Sequence, residues 1–258
     1  MVEKNKLEIS VVVLCYKAGK DIIKFIDCIY SRGCERKIEF EIILVANYWP
    51  KENDITPEIV NRYALNKINC LVVSLPKRGM MGWDMRSGLE KASGRVIVVI
   101  DGDTQFEPNL VFWVYDKLRT DNLDLCKTYR VDREDGIYRK LISSIFNYFF
   151  MLLFPVKKYK KEYRDINSKP KAFLSSAYRE MDLKADDWFI DAEIMLRARN
   201  LKLKLGSFPI SFYKSERESF VKAIAIIEFI KNLIVYRLKE FNTGTKVSKI
   251  SLKEADQD

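Results

Sequence analysis

Asp101 and Asp103, one residue apart, with Gln105 two positions on, form the group of side chains in this sequence best suited to chemistry. They follow Arg95-Val-Ile-Val-Val-Ile100, a β-branched apolar run that predicts a strand buried on both faces. Open α/β sheets gather ligands at the carboxyl ends of such strands. Two carboxylates and an amide on a tight turn supply the hard oxygen ligands that Mg²⁺ or Mn²⁺ takes, with substrate phosphates completing the shell. Aspartate and glycine are also ordinary turn formers, so the triplet alone leaves a plain strand-ending turn and a metal site both open.

A second acidic pair, Asp191 and Glu193, lies in Phe189-Ile-Asp-Ala-Glu193 at the start of a predicted helix. Carboxylates in that position act on a substrate, or they cap the helix and sit solvated in its first turn. None of the 258 residues is histidine, which removes histidine triads, histidine metal sites and imidazole proton transfer. Chemistry must run on carboxylates, lysines, arginines or a bound metal. The five cysteines (Cys15, Cys28, Cys34, Cys70 and Cys126) are odd in number and form no Cys-x-x-Cys pair, which predicts reduced, structural thiols. A formal charge of +9 suits a phosphorylated substrate or an anionic lipid, or else describes a solvated basic surface. Nucleic acid is not an expected partner, since the basic residues are scattered and no recognition motif is present.

The elements that must position these residues alternate. Ile9 to Leu14, Glu41 to Ala46, Cys70 to Leu75 and Arg95 to Ile100 read as strands; Asp21 to Ser31, a segment opening at Thr56-Pro57 and Gly82 to Ala92 read as helices between them. This spacing predicts an α/β fold with a mostly parallel central sheet flanked by helices. Beyond the acidic turn come a helix over Pro108 to Arg119, a strand over Leu123 to Thr128 and a long helix over Ile137 to Phe154. A basic run, Lys157 to Lys161, follows, then a short strand or turn over Asp165 to Lys171 and a helix over Ser176 to Met181. A helix opens within Asp186 to Glu193 and runs to Asn200, Lys204 to Phe208 is a strand, and Ile210 to Ser219 is a charged loop. Phe220 to Lys239 reads as an amphipathic terminal helix, and 241–258 as a polar tail. The apolar stretch Leu141 to Val156 is shorter than the ~20 residues that span a bilayer. It and the terminal helix each combine bulky apolar residues with Lys or Arg, a pattern of domain packing or of membrane-surface contact.

The order of these motifs resembles that of family 2 glycosyltransferases with the GT-A fold, over roughly Ile9 to Lys239. Ser10 to Tyr16 resembles the opening strand, with Cys15 in place of the usual threonine and Lys17 in place of asparagine. Asp101 to Gln105 resembles the metal and diphosphate motif, and Phe189 to Arg197 the later acidic motif. Within the family the pattern is closest to the dolichyl-phosphate or polyprenyl-phosphate mannose synthase-like branch. Arg139 to Ser143 resembles the start of that branch's interfacial helix region, Asp165 to Lys169 its Asp-x-Thr-Gly-Ser segment, and Ser211 to Ser219 its late basic loop. In the loop Lys214 stands for an arginine and Arg217 for a glycine. After the second strand, where the family carries an aspartate that contacts the nucleotide base, this chain has Ala46-Asn47-Tyr48-Trp49. An Asn47 amide can bond a base edge, and Tyr48 or Trp49 can stack on it.

The resemblance implies one GT-A domain over 1–240, divided into a nucleotide-sugar half (9–105), an acceptor half (106–219) and a terminal helix (220–240). It implies Mg²⁺ or Mn²⁺ on Asp101, Asp103 and Gln105. It implies donor contacts from Cys15, Tyr16, Lys17, Asn47, Asp84, Arg86, Asp101, Lys214, Arg217 and Ser219, although an exposed helix face also accounts for Asp84 and Arg86. Asp191 and Glu193 become the candidate catalytic carboxylates, Asp191 as general base toward a hydroxyl or as an orienting group where the acceptor is already anionic. The expected reaction is inverting transfer of a hexose from a nucleotide-diphosphate sugar to a polyprenyl phosphate. A glycan hydroxyl acceptor, or a catalytically silent sugar-nucleotide scaffold, is the alternative. The charged N-terminus, Met1 to Glu8, lacks the apolar core of a signal peptide and predicts a cytoplasmic protein, and the amphipathic segments leave peripheral contact at the inner membrane face open.

Overall fold

The computed structural model describes residues 7–133, 137–156, 161–212, 229–238 and 240. The strands are β1 (Ile9–Leu14), β2 (Phe40–Val45), β3 (Cys70–Val73), β4 (Val96–Asp101), β5 (Leu125–Arg133), β6 (Lys171–Leu174) and β7 (Leu205–Phe212). The helices are α1 (Ile22–Glu35), α2 (Thr56–Ala64), α3 (Met81–Leu89), α4 (Leu110–Thr120), α5 (Ile137–Leu153), α6 (Ser175–Met181) and α7 (Ile190–Asn200). One sheet takes all seven strands in the order β3-β2-β1-β4-β6-β5-β7. Only β6 runs against the rest, pairing antiparallel with both β4 and β5. The mostly parallel α/β architecture expected from the strand–helix alternation is the one observed.

β1 and β2 are buried at every position, and β4 at every position but its last. Alternate side chains explain why. Val12, Ile43 and Val99 face a core shared with α3, α5 and α7, while Val11, Ile42 and Val98 face one shared with α1 and α4. Gly88 lets α3 lie close on this sheet, since a Cβ there would fall 2.5 Å from Val45 and 2.6 Å from Val12. α5 turns Phe146 and Phe150 into the first core and Phe154 just beyond it joins them; Phe146 meets Phe229 and Phe154 meets Tyr236 of the helical residues 229–238. Those residues bear out helix within the predicted terminal segment. The basic residues 157–160, the loop residues 213–219, residues 220–228 and the tail lie outside the described residues.

Several boundaries differ from the sequence reading, and the strand expected over Leu123 to Thr128 runs on to Arg133. The strand expected to stop at Phe208 continues to Phe212, because Ile210, Ser211 and Phe212 pair with Arg130, Asp132 and Arg133 of β5 and Phe212 packs on Phe106. The strand or turn expected over Asp165 to Lys171 is a strand only from Lys171, where register with Val99 begins.

The chain moves outward through β1, β2 and β3, then returns to the other side of β1 as β4. Strand order therefore reverses between β1 and β4, whose last residues Leu14 and Asp101 are partners in register. Ligands of open α/β sheets bind at such a point.

Candidate functional site

Asp101 ends β4 half-buried at this crevice, and the next residue leaves no room for a side chain. A Cβ on Gly102 would lie 2.5 Å from Ile22, while the Gly102 N–H donates to Leu14 O at 2.9 Å, tucking the turn against β1. Asp103 Oδ1 accepts the Gln105 N–H at 3.1 Å, and Thr104 between them takes a left-handed φ of 61°. The turn holds two half-buried carboxylates and the buried Gln105 within five residues. This oxygen set fits Mg²⁺ or Mn²⁺ only with help, for no three His, Cys, Asp or Glu side chains among the described residues group to hold a metal. Phosphate oxygens and water would have to fill the shell, the usual habit of Mg²⁺.

The residues after β1 line one side of the crevice. Cys15 is buried in the sheet, its N–H donating to Val45 O at 2.8 Å. The Tyr16 hydroxyl donates to Glu52 at 2.7 Å, and Lys17 pairs with the same carboxylate at 2.9 Å. Burial, reinforced by Glu52, pushes the Tyr16 phenol up to about 12. Lys77 stands over the Tyr16 ring at 4.2 Å and pairs with Asp84 in a fully buried contact.

That contact changes the reading of three predicted donor residues. Asn47 is fully buried and donates both amide hydrogens inward, to Asp84 at 3.0 Å and Ser87 at 2.9 Å, while its oxygen accepts the Leu75 N–H at 2.9 Å. It has no hydrogen left to offer a base edge. Asp84 is buried rather than on an exposed face, and burial raises its carboxyl despite Lys77. Arg86 pairs with Asp186 at 2.5 Å and donates to Lys184 O at 3.1 Å, bracing a loop. Tyr48 and Trp49 remain half-buried beyond β2.

The acidic pair of α7 lies behind the turn. Asp191 is completely buried between Lys169, at 2.9 Å, and Lys171, at 2.5 Å. Burial alone would raise its carboxyl; the two ammoniums outweigh that and hold it below the usual range. Glu193, also buried, accepts the Lys184 N–H at 2.9 Å and the Ala185 N–H at 2.8 Å. Neither residue caps α7 and neither is solvated, so both readings of a plain helix start are set aside. The loop Glu193 holds is pressed on α3, whose Gly82 would place a Cβ 2.4 Å from Ala185 O. The Gly82 and Trp83 N–H groups donate to the Asp187 and Asp186 carbonyls at 3.0 and 3.1 Å.

Sequence reasoning missed the lysines. Lys169 bridges Asp191 to Asp101, reaching the latter at 3.3 Å. Burial lowers its ammonium, but Asp101 and Asp191 outweigh burial and raise it above the ordinary range. Burial lowers Lys171, and it takes the fully buried Lys127, with Lys171 close by, down to about 7. Lys127 donates to Thr128 O at 2.8 Å and Arg164 O at 2.6 Å, two acceptors for the two hydrogens of a neutral amine. Arg130 grips Asp165 through two bonds of 2.8 and 2.6 Å, and this pairing outweighs burial to hold Asp165 far below the carboxylate range. The available signal was the Lys169-Pro-Lys171 pair leading into an apolar strand. Lys214, Arg217 and Ser219 lie outside the described residues.

The model of Glycosyl transferase family 2 matches residues 10–183, more than half of the chain. The chain belongs to glycosyl transferase family 2. A curated relative of this family 2 chain, the dodecaprenyl-phosphate galacturonate synthase of Rhizobium johnstonii, is 27% identical over 146 residues, covering 56% of this chain and 42% of that protein. The chain thus matches less than half the length of that relative. Solved structures of glucosyl-3-phosphoglycerate synthase from Mycobacterium tuberculosis superpose on it. The complex with Mn²⁺, uridine diphosphate and phosphoglyceric acid gives a TM-score of 0.68 at 16% identity, covering 89% of this chain and 78% of that one. The complex with Mg²⁺ and uridine diphosphate gives 0.66 at 16% identity, with coverage of 89% and 79%. The fold of this family 2 member is GT-A.

Proposed function

We propose that this chain is an inverting, metal-dependent glycosyltransferase, and that it moves a hexose from a nucleotide-diphosphate sugar to a polyprenyl phosphate at a membrane surface. The observation that carries the proposal is the turn from Asp101 to Gln105, set where the strand order reverses between β1 and β4. Asp103 and Gln105 would hold the cation, with Asp101 beside them. Bound there, Mg²⁺ or Mn²⁺ supplies charge neutralisation at the departing nucleoside diphosphate. The structures with Mn²⁺ or Mg²⁺ and uridine diphosphate on the same fold support this use of the turn. Tyr16 and Lys17 flank the donor at the end of β1, and Lys214, Arg217 and Ser219 are assigned to its phosphates on sequence grounds. Asn47, Asp84 and Arg86 support the donor wall.

Three observations favour a phosphate acceptor. A hydroxyl must lose a proton as it attacks, but Asp191 is sealed from solvent between two ammoniums and is a poor base. An acceptor phosphate oxygen is already anionic. The curated relative is named for a polyprenyl-phosphate product. Finally, α5 exposes Leu141, Ile145, Tyr148 and Leu152, a stripe at helical spacing opposite its buried phenylalanines, suited to a bilayer surface. Among the described residues no helix is long and apolar enough to cross a membrane.

The test is a donor screen with the full chain, Mn²⁺ or Mg²⁺ and a panel of UDP- and GDP-sugars, read as nucleoside diphosphate release with and without polyprenyl phosphate. Release that depends on the lipid supports the proposal. Release with a glycan alone would transfer the assignment to a hydroxyl acceptor, and a silent panel without metal-dependent nucleotide binding would indicate a scaffold.

A further inference from the structure

Lys169 is 2% exposed, and its ammonium has three hydrogens and three partners: Asp191 Oδ2 at 2.9 Å, Asp101 Oδ2 at 3.3 Å and Met81 Sδ at 3.3 Å. No hydrogen remains for a ligand, so Lys169 is a positioning residue. Asp191 does not need it for charge balance, because Lys171 already meets the other Asp191 oxygen at 2.5 Å. One buried carboxylate faces two buried ammoniums, and the surplus positive charge points at Asp101.

We propose that Lys169 is a resident cation that shares Asp101 with the incoming divalent ion and makes metal binding wait for the nucleotide diphosphate. This rests on the assignment of the Asp101 to Gln105 turn as the metal site. Asp101 reaches that turn with its charge already met. A divalent ion arriving alone would stand near an ammonium that water screens poorly, because Lys169 lies inside the protein. A diphosphate brings the negative charge that offsets both cations. The order that follows is nucleotide with metal, or nucleotide first, rather than metal first.

The experiment measures Mn²⁺ binding to the full chain by the loss of the free-ion electron paramagnetic resonance signal, with and without UDP or GDP. Wild type is compared with Lys169→Met and with Lys171→Met, which removes the same charge from the same cluster without touching Asp101. Without nucleotide, Lys169→Met is expected to bind Mn²⁺ about tenfold or more tighter than wild type, within the range of effects that neighbours of metal ligands produce. Lys171→Met should change affinity far less, and nucleotide should narrow the gap between wild type and Lys169→Met. Equal tightening by both variants, or none by Lys169→Met, overturns the proposal. Should Lys169→Met fail to fold, Lys169→Gln takes its place, and wild type binding Mn²⁺ equally well with and without nucleotide is by itself contrary. No Mn²⁺ binding by wild type even with nucleotide would remove the metal-site assignment and this inference together.

Discussion

On one side of the sheet, β1, β2 and β4 fill their interiors with Val, Ile and Leu, and the buried Ser10 and Glu41 bond to each other at 2.6 Å near the amino ends. On the other side, β5 and β6 carry Lys127 and Lys171 inward, with Lys169 just ahead of β6; Asp191 is the shared counterion of Lys169 and Lys171, while Lys127 donates to backbone carbonyls. The first region is a stiff platform that presents a turn. The second holds charge in a low-dielectric interior directly behind that turn, where only mutual pairing keeps it there. Stability and function separate cleanly in the first region and are entangled in the second.

The strongest way to break this contrast is Asp191→Ala. It strands two buried ammoniums and is expected to cost about 3–5 kcal/mol in urea denaturation; a loss below about 1 kcal/mol would mean that the cluster is not held as described. Asp103→Ala, on the platform's turn, should instead leave the unfolding midpoint unchanged while lowering turnover at least about a hundredfold. Unchanged turnover would remove the metal-site assignment.

Lys127 sharpens the comparison through pH. In the folded protein it gives up its proton at about 7, against an ordinary value of 10.5. Between those values the unfolded chain binds more protons, so this residue makes stability rise with pH. The stability of Lys127→Met relative to wild type should therefore be greatest near pH 6 and decline by up to about 1.4 kcal/mol per pH unit above pH 7. Ile43→Val, in the apolar half, should lose about 0.5–1.5 kcal/mol independently of pH. Parallel pH profiles for the two variants would contradict a neutral Lys127. The smallest stability effect is expected at the surface stripe of α5. Leu152→Glu should shift stability by no more than about 0.5 kcal/mol while weakening sedimentation with anionic vesicles, and unaltered vesicle binding would argue against that face.

The apolar half was legible because its signals are local. Val96 to Ile100 is buried on both faces, so its composition alone announces a strand, and Gly102 between two aspartates announces a turn. The charged half was opaque because its meaning depends on partners distant in sequence. Nothing local to Lys169 and Lys171 marks them as buried until Asp191, at the start of α7, is seen to face them. Asp84 was open to two readings, a donor contact and an exposed helix face, and only the buried reach of Lys77 decides against the exposed face. Asn47 offered an amide to a nucleotide base in sequence, but Ser87 and Asp84 on α3 take its hydrogens. Ile210 to Phe212 looked like loop because its hydrogen-bonding partner, the far end of β5, was itself unforeseen.

The position of the donor diphosphate and its metal decides whether the turn from Asp101 to Gln105 is the metal site. Crystals grown with Mn²⁺ and the nucleoside diphosphate of the active donor, measured at a wavelength where manganese scatters anomalously, locate both at once. The expected result is an anomalous peak within coordination distance of Asp103 and Gln105, bridged to the diphosphate at the ends of β1 and β4. A peak and diphosphate bound away from the turn would contradict it.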